Sequence, residues 1–125
     1  MKEITAKLNN YRASPRKTRI VADLIKGKKT QDAIVQLGFL TKKSANPIVK
    51  LLKSAISNAK NDFKIADENN LIVKTITVNA GTVLKRSRPR SRGMANQILK
   101  RTSNITIVLL EQLKSKVHKV VKSNK

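Results

Sequence analysis

Residues 71–110 read LIVKTITVNAGTVLKRSRPRSRGMANQILKRTSNITIVLL, and this stretch decides the fold. Its two ends, Leu71–Asn79 and Asn104–Leu110, are dense in Ile, Val and Thr. β-Branched side chains are stiff at χ1 and pack well on a pleated surface, so both ends read as strands. They bracket residues 80–103, a segment too long for a tight turn. The simplest geometry is an antiparallel hairpin whose arms run on past the core. Arms of about ten residues, at about 3.3 Å per residue, would project roughly 33 Å. Arg88-Pro89-Arg90-Ser91-Arg92-Gly93 would form the tip, with Pro and Gly supplying the turn. A disordered basic loop of the same length fits the composition equally.

Upstream, residues 4–11 alternate loosely. Ile4, Ala6 and Leu8 fall on one side and Thr5, Lys7 and Asn9 on the other, which predicts a short strand. Ser14-Pro15 then opens a helix, Ser suiting the N-cap and Pro the first helical position. Val21, Leu24 and Ile25, with Thr18 one turn back, make its apolar stripe, and Gly27 closes it. A second short helix is expected from about Thr30, with Asp32 in the first turn. It would bury Ala33, Ile34 and Leu37 and end at Gly38. The third helix has the clearest period: Ile48, Leu51, Leu52, Ala55, Ile56, Ala59 and Phe63. Pro47 suggests Asn46 as N-cap, while Thr41 or Ser44 could cap an earlier start. Asp67-Glu68-Asn69-Asn70 reads as a polar turn.

The whole reads as one domain over residues 1–111, followed by a basic tail, 112–125. Lys114, Lys116, Lys119, Lys122 and Lys125 mark that tail as a solvated extension, despite near-helical spacing of Leu113, Val117 and Val120. A chain of 125 residues is one domain long. Its aromatics are Tyr11, Phe39 and Phe63, so the core must be aliphatic.

Charge bounds the function. Lys and Arg number 28 against 7 acids, a formal +21. Such a chain repels itself when compact and seeks a polyanion, nucleic acid first and an anionic membrane second. There is no cysteine, which excludes disulfides, a thiolate nucleophile and Cys-ligated zinc. The single histidine, His118, sits in the lysine-rich tail, so a histidine metal site or catalytic triad lacks parts. The acids Glu3, Asp23, Asp32, Asp62, Asp67, Glu68 and Glu111 are scattered, which gives no paired-carboxylate site. Gly27, Gly38, Gly81 and Gly93 are isolated, so no phosphate-cradling loop follows a strand. No apolar run approaches a membrane span, and Met1-Lys2-Glu3-Ile4 opens no signal-peptide core. The expectation is a cytoplasmic non-enzyme without metal or cofactor, not membrane-bound and not a homo-oligomer.

The arginines say more than the net charge. All eight lie in two places: Arg12, Arg16 and Arg19, then Arg86, Arg88, Arg90, Arg92 and Arg101. The twenty lysines are spread along the chain. Arginine's planar fork suits bidentate phosphate contacts, so its segregation marks two places where geometry matters. No acid occurs between Asn69 and Leu110, which solubility alone does not explain. Single-strand binders stack bases on aromatics, and here Tyr11 alone is near a basic cluster, where it reads as structural. Recognition of phosphate and shape on folded RNA follows, with strong salt dependence. Helix three shows no helix-turn-helix partner, which weakens a sequence-specific DNA reading. A nucleoid-type DNA-compacting protein stays as the alternative, and a membrane-active cationic domain is third.

Three collinear segments resemble the large-subunit ribosomal proteins of the L-twenty-two family. Ser14–Lys28, SPRKTRIVADLIKGK, looks like the family's opening helix. Leu52–Ala59, LKSAISNA, is similar to its central helix. Lys85–Gly93, KRSRPRSRG, followed by Ile98–Thr106, ILKRTSNIT, resembles its extended hairpin. The match covers about residues 4–110 in the family's order.

The resemblance implies an α+β fold, three helices packed on a small antiparallel three-stranded sheet, with a long protruding β-hairpin. It implies a structural constituent of the large ribosomal subunit, bacterial or organellar, that binds large-subunit rRNA and aids assembly. Neighbouring ribosomal proteins would be further partners. The body contacts to rRNA would be Arg12, Arg16, Lys17, Arg19, Lys26 and Lys28. The hairpin contacts would be Lys85, Arg86, Arg88, Arg90, Arg92, Lys100 and Arg101. The tip, Arg88, Pro89, Arg90, Ser91, Arg92, Gly93 and Met94, would line the peptide exit tunnel near its constriction and meet the nascent peptide. Two residues depart from the pattern: Met94 stands where many members have a basic residue, and Asn104 where many have histidine. With little apolar face to bury, the hairpin is expected to order only on RNA.

Overall fold

The computed structural model describes residues 2–112. Strand β1, Glu3–Tyr11, alternates as its sequence demands, with Ile4 and Ala6 buried and Thr5 and Lys7 exposed. Helices α1 (Pro15–Ile25), α2 (Thr30–Phe39) and α3 (Ala45–Phe63) follow. A single turn of 3-10 helix at Glu68–Asn70 leads into β2, Leu71–Ala80. Strands β3 (Leu84–Pro89) and β4 (Ala95–Lys100) come next, and β5, Ser103–Glu111, closes the fold.

The sheet has the order β1-β5-β2, with both pairings antiparallel. β5 is central, and Ile105, Ile107 and Leu109 on it are fully buried. In β2 the buried positions switch from Leu71 and Val73 to Ile76 and Val78. A bulge between Val73 and Thr75 causes the switch, because one extra residue moves every later side chain to the opposite face. Lys74 then stays outside, where it pairs with Glu3.

α3 supplies the largest apolar face, with Ile48, Leu52, Ala55 and Ala59 fully buried and Leu51 and Ile56 nearly so. It starts at Ala45 after Ser44, so Pro47 lies inside the first turn, where a missing N–H costs nothing. Of the caps the sequence allows, Ser44 is the one used, and Asn46 lies inside the helix. Its last residue, Phe63, is half-buried against the core, and the Lys2 ammonium sits 5.9 Å above its ring.

Three local expectations need correction. In α1 the buried stripe is Thr18, Val21, Ala22 and Ile25, whereas Leu24 is 38% exposed. Ser14 occupies the N-cap position, but its side chain makes no capping bond; its carbonyl accepts from Thr18 N at 3.1 Å and Thr18 Oγ1 at 3.0 Å. Gly38 lies within α2, which runs one residue further, and Ile34 is only half-buried.

Gly27, at φ 78, turns the chain out of α1 and onto the free edge of β2. Gly27 N donates to the Val73 carbonyl and Val73 N to the Lys28 carbonyl, each at 2.9 Å. This covers part of an edge that would otherwise invite pairing. No helix among the described residues is long and apolar enough to cross a membrane.

The basic segment is a hairpin. β3 and β4 pair antiparallel from Leu84↔Lys100 to Pro89↔Ala95, as a ribbon separate from the main sheet. The arms are shorter than expected: six paired residues each, roughly 20 Å at 3.3 Å per residue. Pro89 is the last position of β3 rather than a turn residue, tolerable because each ribbon strand has one side without a partner. The turn is made by Arg90–Met94, with Arg92 at φ 59 and Gly93 at φ 68. The Arg90 amide donates to the Met94 carbonyl at 2.7 Å and closes it. The tail beyond Gln112, with its lysines and His118, lies outside the described residues.

Candidate nucleic-acid interface

Arg101 of the second arginine group, distant in sequence, meets the first group at the root of the hairpin. β1 ends beside β5 (Tyr11 pairs with Ser103), so Arg12 and Arg101 leave the sheet together. Arg12 Nη1 donates to the Arg101 carbonyl at 2.8 Å. Ser103 Oγ donates to the Ala13 carbonyl at 2.7 Å and ties the following loop to β5. The start of α1 is thus held against the point where the arm leaves the body.

Two open clefts flank this point. One, about 380 Å³, lies among Arg12, Lys17, Lys43, Leu99 and Arg101. The other, about 430 Å³, lies among Arg16, Arg19, Ala80 and Arg101. Ser14 and Arg101 line both, and no acid lines either. Both clefts adjoin the N-terminus of α1, where the first intrahelical bond is made by Thr18 N. The free backbone N–H groups there carry the positive end of the helix dipole, which favours an anion.

Arg19 does double duty. Its Nε donates to the Val78 carbonyl at 3.0 Å, fastening α1 to the edge of β2, while its guanidinium lines the second cleft. Lys26 and Lys28 are not part of this site. They follow the other end of α1, roughly 16 Å away at 1.5 Å per residue, and Lys28 Nζ donates to Gln36 Oε1.

On the ribbon, the register sorts the remaining cations. Strand side chains alternate faces, and directly paired residues share one. Arg86, Arg88 and Lys100 therefore fall on one face, together with Leu84, Asn96 and Ile98. Lys85 falls on the other, with Ser87, Gln97 and Leu99. Arg90 and Arg92 belong to the turn. Every residue of both arms is exposed.

Sequence reasoning missed Lys43, which the α2–α3 connection brings into the first cleft. Among twenty evenly spread lysines nothing marked it. The carbonyl-binding roles of Arg12 and Arg19 were equally invisible, because both acceptors are more than fifty residues away. Tyr11 is half-buried and packs against the core, and its buried hydroxyl has no protein partner among the described residues.

Residues 6–110 match the family described as ribosomal protein L22p/L17e. The chain belongs to this family. It is 52% identical over 110 residues to the large ribosomal subunit protein uL22 of Mesoplasma florum, covering 88% of this chain and 97% of that protein. It is 47% identical over 102 residues to the protein of the same name from Herpetosiphon aurantiacus, covering 82% and 89% respectively. The matched span contains β2 through β4, all three helices, and β5 but for Glu111. Both arginine groups, and the clefts where they meet, therefore lie within the family's own boundaries.

Proposed function

We propose that the chain is a structural constituent of the large ribosomal subunit, cytoplasmic within the ribosome, that binds large-subunit rRNA and aids its assembly. The observation that carries this is the convergence of Arg12, Arg16, Lys17, Arg19 and Arg101 on two acid-free clefts at the base of a basic ribbon. The large-subunit role of the relatives supports it. The mechanism is electrostatic clamping. Neutralised phosphates let separate RNA segments approach one another, and the aliphatic body sets where the guanidinium groups point. The work asked of the residues is binding rather than catalysis, with neighbouring ribosomal proteins as further partners.

The finer reading concerns the arm. The turn Arg90–Met94, with Arg88 and Pro89 behind it, reaches the wall of the peptide exit tunnel and meets the nascent peptide. Its support is the projecting ribbon with three cations at and next to its end. Met94, 66% exposed, offers an apolar contact there in place of a charge.

Salt titration of binding to a large-subunit rRNA fragment tests the clamp. Replacing Arg88, Arg90 and Arg92 together by Ala should flatten the slope of log K against log[salt] by about 2–3 if each meets a phosphate. An unchanged slope would remove the tip from the interface. Subunits carrying the triple variant should assemble late or elongate abnormally; normal assembly and elongation would end the tunnel reading.

A further inference from the structure

The first root cleft has one wall on the body and one on the arm. Arg12, Lys17 and Lys43 belong to the body; Leu99 lies one residue before the end of β4, and Arg101 follows that strand at the hinge. The ribbon and the three-stranded sheet share no strand, and only residues 81–83 and 101–102 join them. The arm buries none of its side chains, so packing does not set its direction. The root is held instead by a few hydrogen bonds. Gly81 N donates to the Thr102 carbonyl at 2.9 Å, Thr102 Oγ1 to the Thr82 carbonyl at 2.7 Å, and Arg12 Nη1 to the Arg101 carbonyl.

From this arrangement we infer that a phosphate group bound in the cleft sets the direction of the arm. The inference rests on the rRNA-binding reading and names the phosphodiester as the ligand of this one site. Three body cations face Arg101 at the hinge, and their repulsion of it opens the cleft. A bound anion reverses the sign, drawing Arg101 toward Lys17 and Lys43. Binding and arm direction are then linked: whatever fixes the arm tightens the anion site, and the reverse. No aromatic and no carboxylate lines the cleft, so it offers a base neither an aromatic platform nor an acid to accept from its amino edge. An acidic peptide would offer carboxylates, which the forked donors bind as readily; the rRNA-binding reading favours the phosphodiester, and hexa-aspartate tests the peptide.

The experiment uses the full chain, which contains no cysteine of its own. Asn61→Cys on α3 and Ser91→Cys at the tip carry spin labels, and pulsed dipolar spectroscopy reads the distance distribution. Tripolyphosphate added at constant ionic strength should narrow that distribution at least about twofold. In Lys43→Ala the concentration required should rise about tenfold, the usual effect of losing one charge-assisted contact. Lys53→Ala, which removes an exposed cation of α3 outside the cleft, should leave it unchanged. A distribution indifferent to tripolyphosphate, equal sensitivity of the two variants, or the same narrowing with hexa-aspartate would overturn the inference. Selective binding of large-subunit rRNA over an equal-length transcript is measured on the same protein. If selectivity holds and the arm does not respond, the hinge fails alone. If selectivity is absent, the functional reading fails, and the tripolyphosphate response still decides the hinge.

Discussion

Arg12 and Arg101 stand 89 residues apart in the chain, yet the guanidinium of the first holds the carbonyl of the second at 2.8 Å. This bond joins the end of β1 to the hairpin root, so a side chain expected to serve RNA also serves the fold. Arg12→Lys keeps the charge but loses the planar fork that reaches the carbonyl. Amide exchange at Gly81, whose N–H bonds to Thr102, should accelerate about two- to tenfold, the worth of one hydrogen bond. Exchange in α3 should not change. Unaltered exchange at Gly81 would show that the bond holds nothing.

Gly81 has no room for a side chain. A Cβ there would lie 2.5 Å from Thr102 Oγ1, which is itself held by the Thr82 carbonyl. Gly81→Ala should cost about 1–3 kcal/mol by overpacking, measured by urea unfolding. Adding Thr102→Ala removes the obstructing oxygen and should recover part of the loss. A double variant less stable than the sum of the singles would mean that the clash is not the cause.

The arm is the least protected part of the fold. All twelve paired residues of β3 and β4 are exposed, and they pair only with each other. An isolated two-stranded hairpin is marginal in water. In the RNA-free protein, NMR order parameters for residues 84–96 should fall well below those of α3, and their amides should exchange near the unprotected rate. Order parameters there equal to those of α3 would contradict this and mean that the ribbon is rigid before RNA binds.

Much of this was legible in advance, for identifiable reasons. β2 and β5 show because Ile, Val and Thr are concentrated there, and α3 shows because seven apolar residues keep helical spacing. The bulge at Lys74 did not show, since one inserted residue leaves no compositional mark. Gly38 read as a stop, but nothing in the sequence shows that α2 continues to Phe39. The convergence of Arg101 with the first arginine group was hidden because it depends on β1 pairing with β5 across almost the whole chain. Each group was found separately, but their meeting is a tertiary fact.

Glu3 offers a pH test. Its exposed carboxylate accepts a hydrogen bond from Lys74, and that bond, together with the ammonium charge, lowers its pKa below the ordinary glutamate value. A lowered folded-state pKa stabilises above the unfolded value, and the contribution fades as pH falls through the folded value. Lys74→Met should return the Glu3 titration, followed by carbon-detected NMR, to the ordinary range. The stability difference between wild type and variant should shrink in acid. A difference that grows on acidification would reverse the sign and disprove the pairing.

The central claim is tested most directly by crosslinking in the cell and sequencing the attached nucleic acid. The account predicts reads gathered at a few sites of the large-subunit rRNA. It also predicts crosslinked peptides from residues 12–19, from Lys43, and from residues 85–101. Reads spread over genomic DNA, with no focus on that rRNA, would contradict it and make this chain a nucleoid-type protein built on a ribosomal fold.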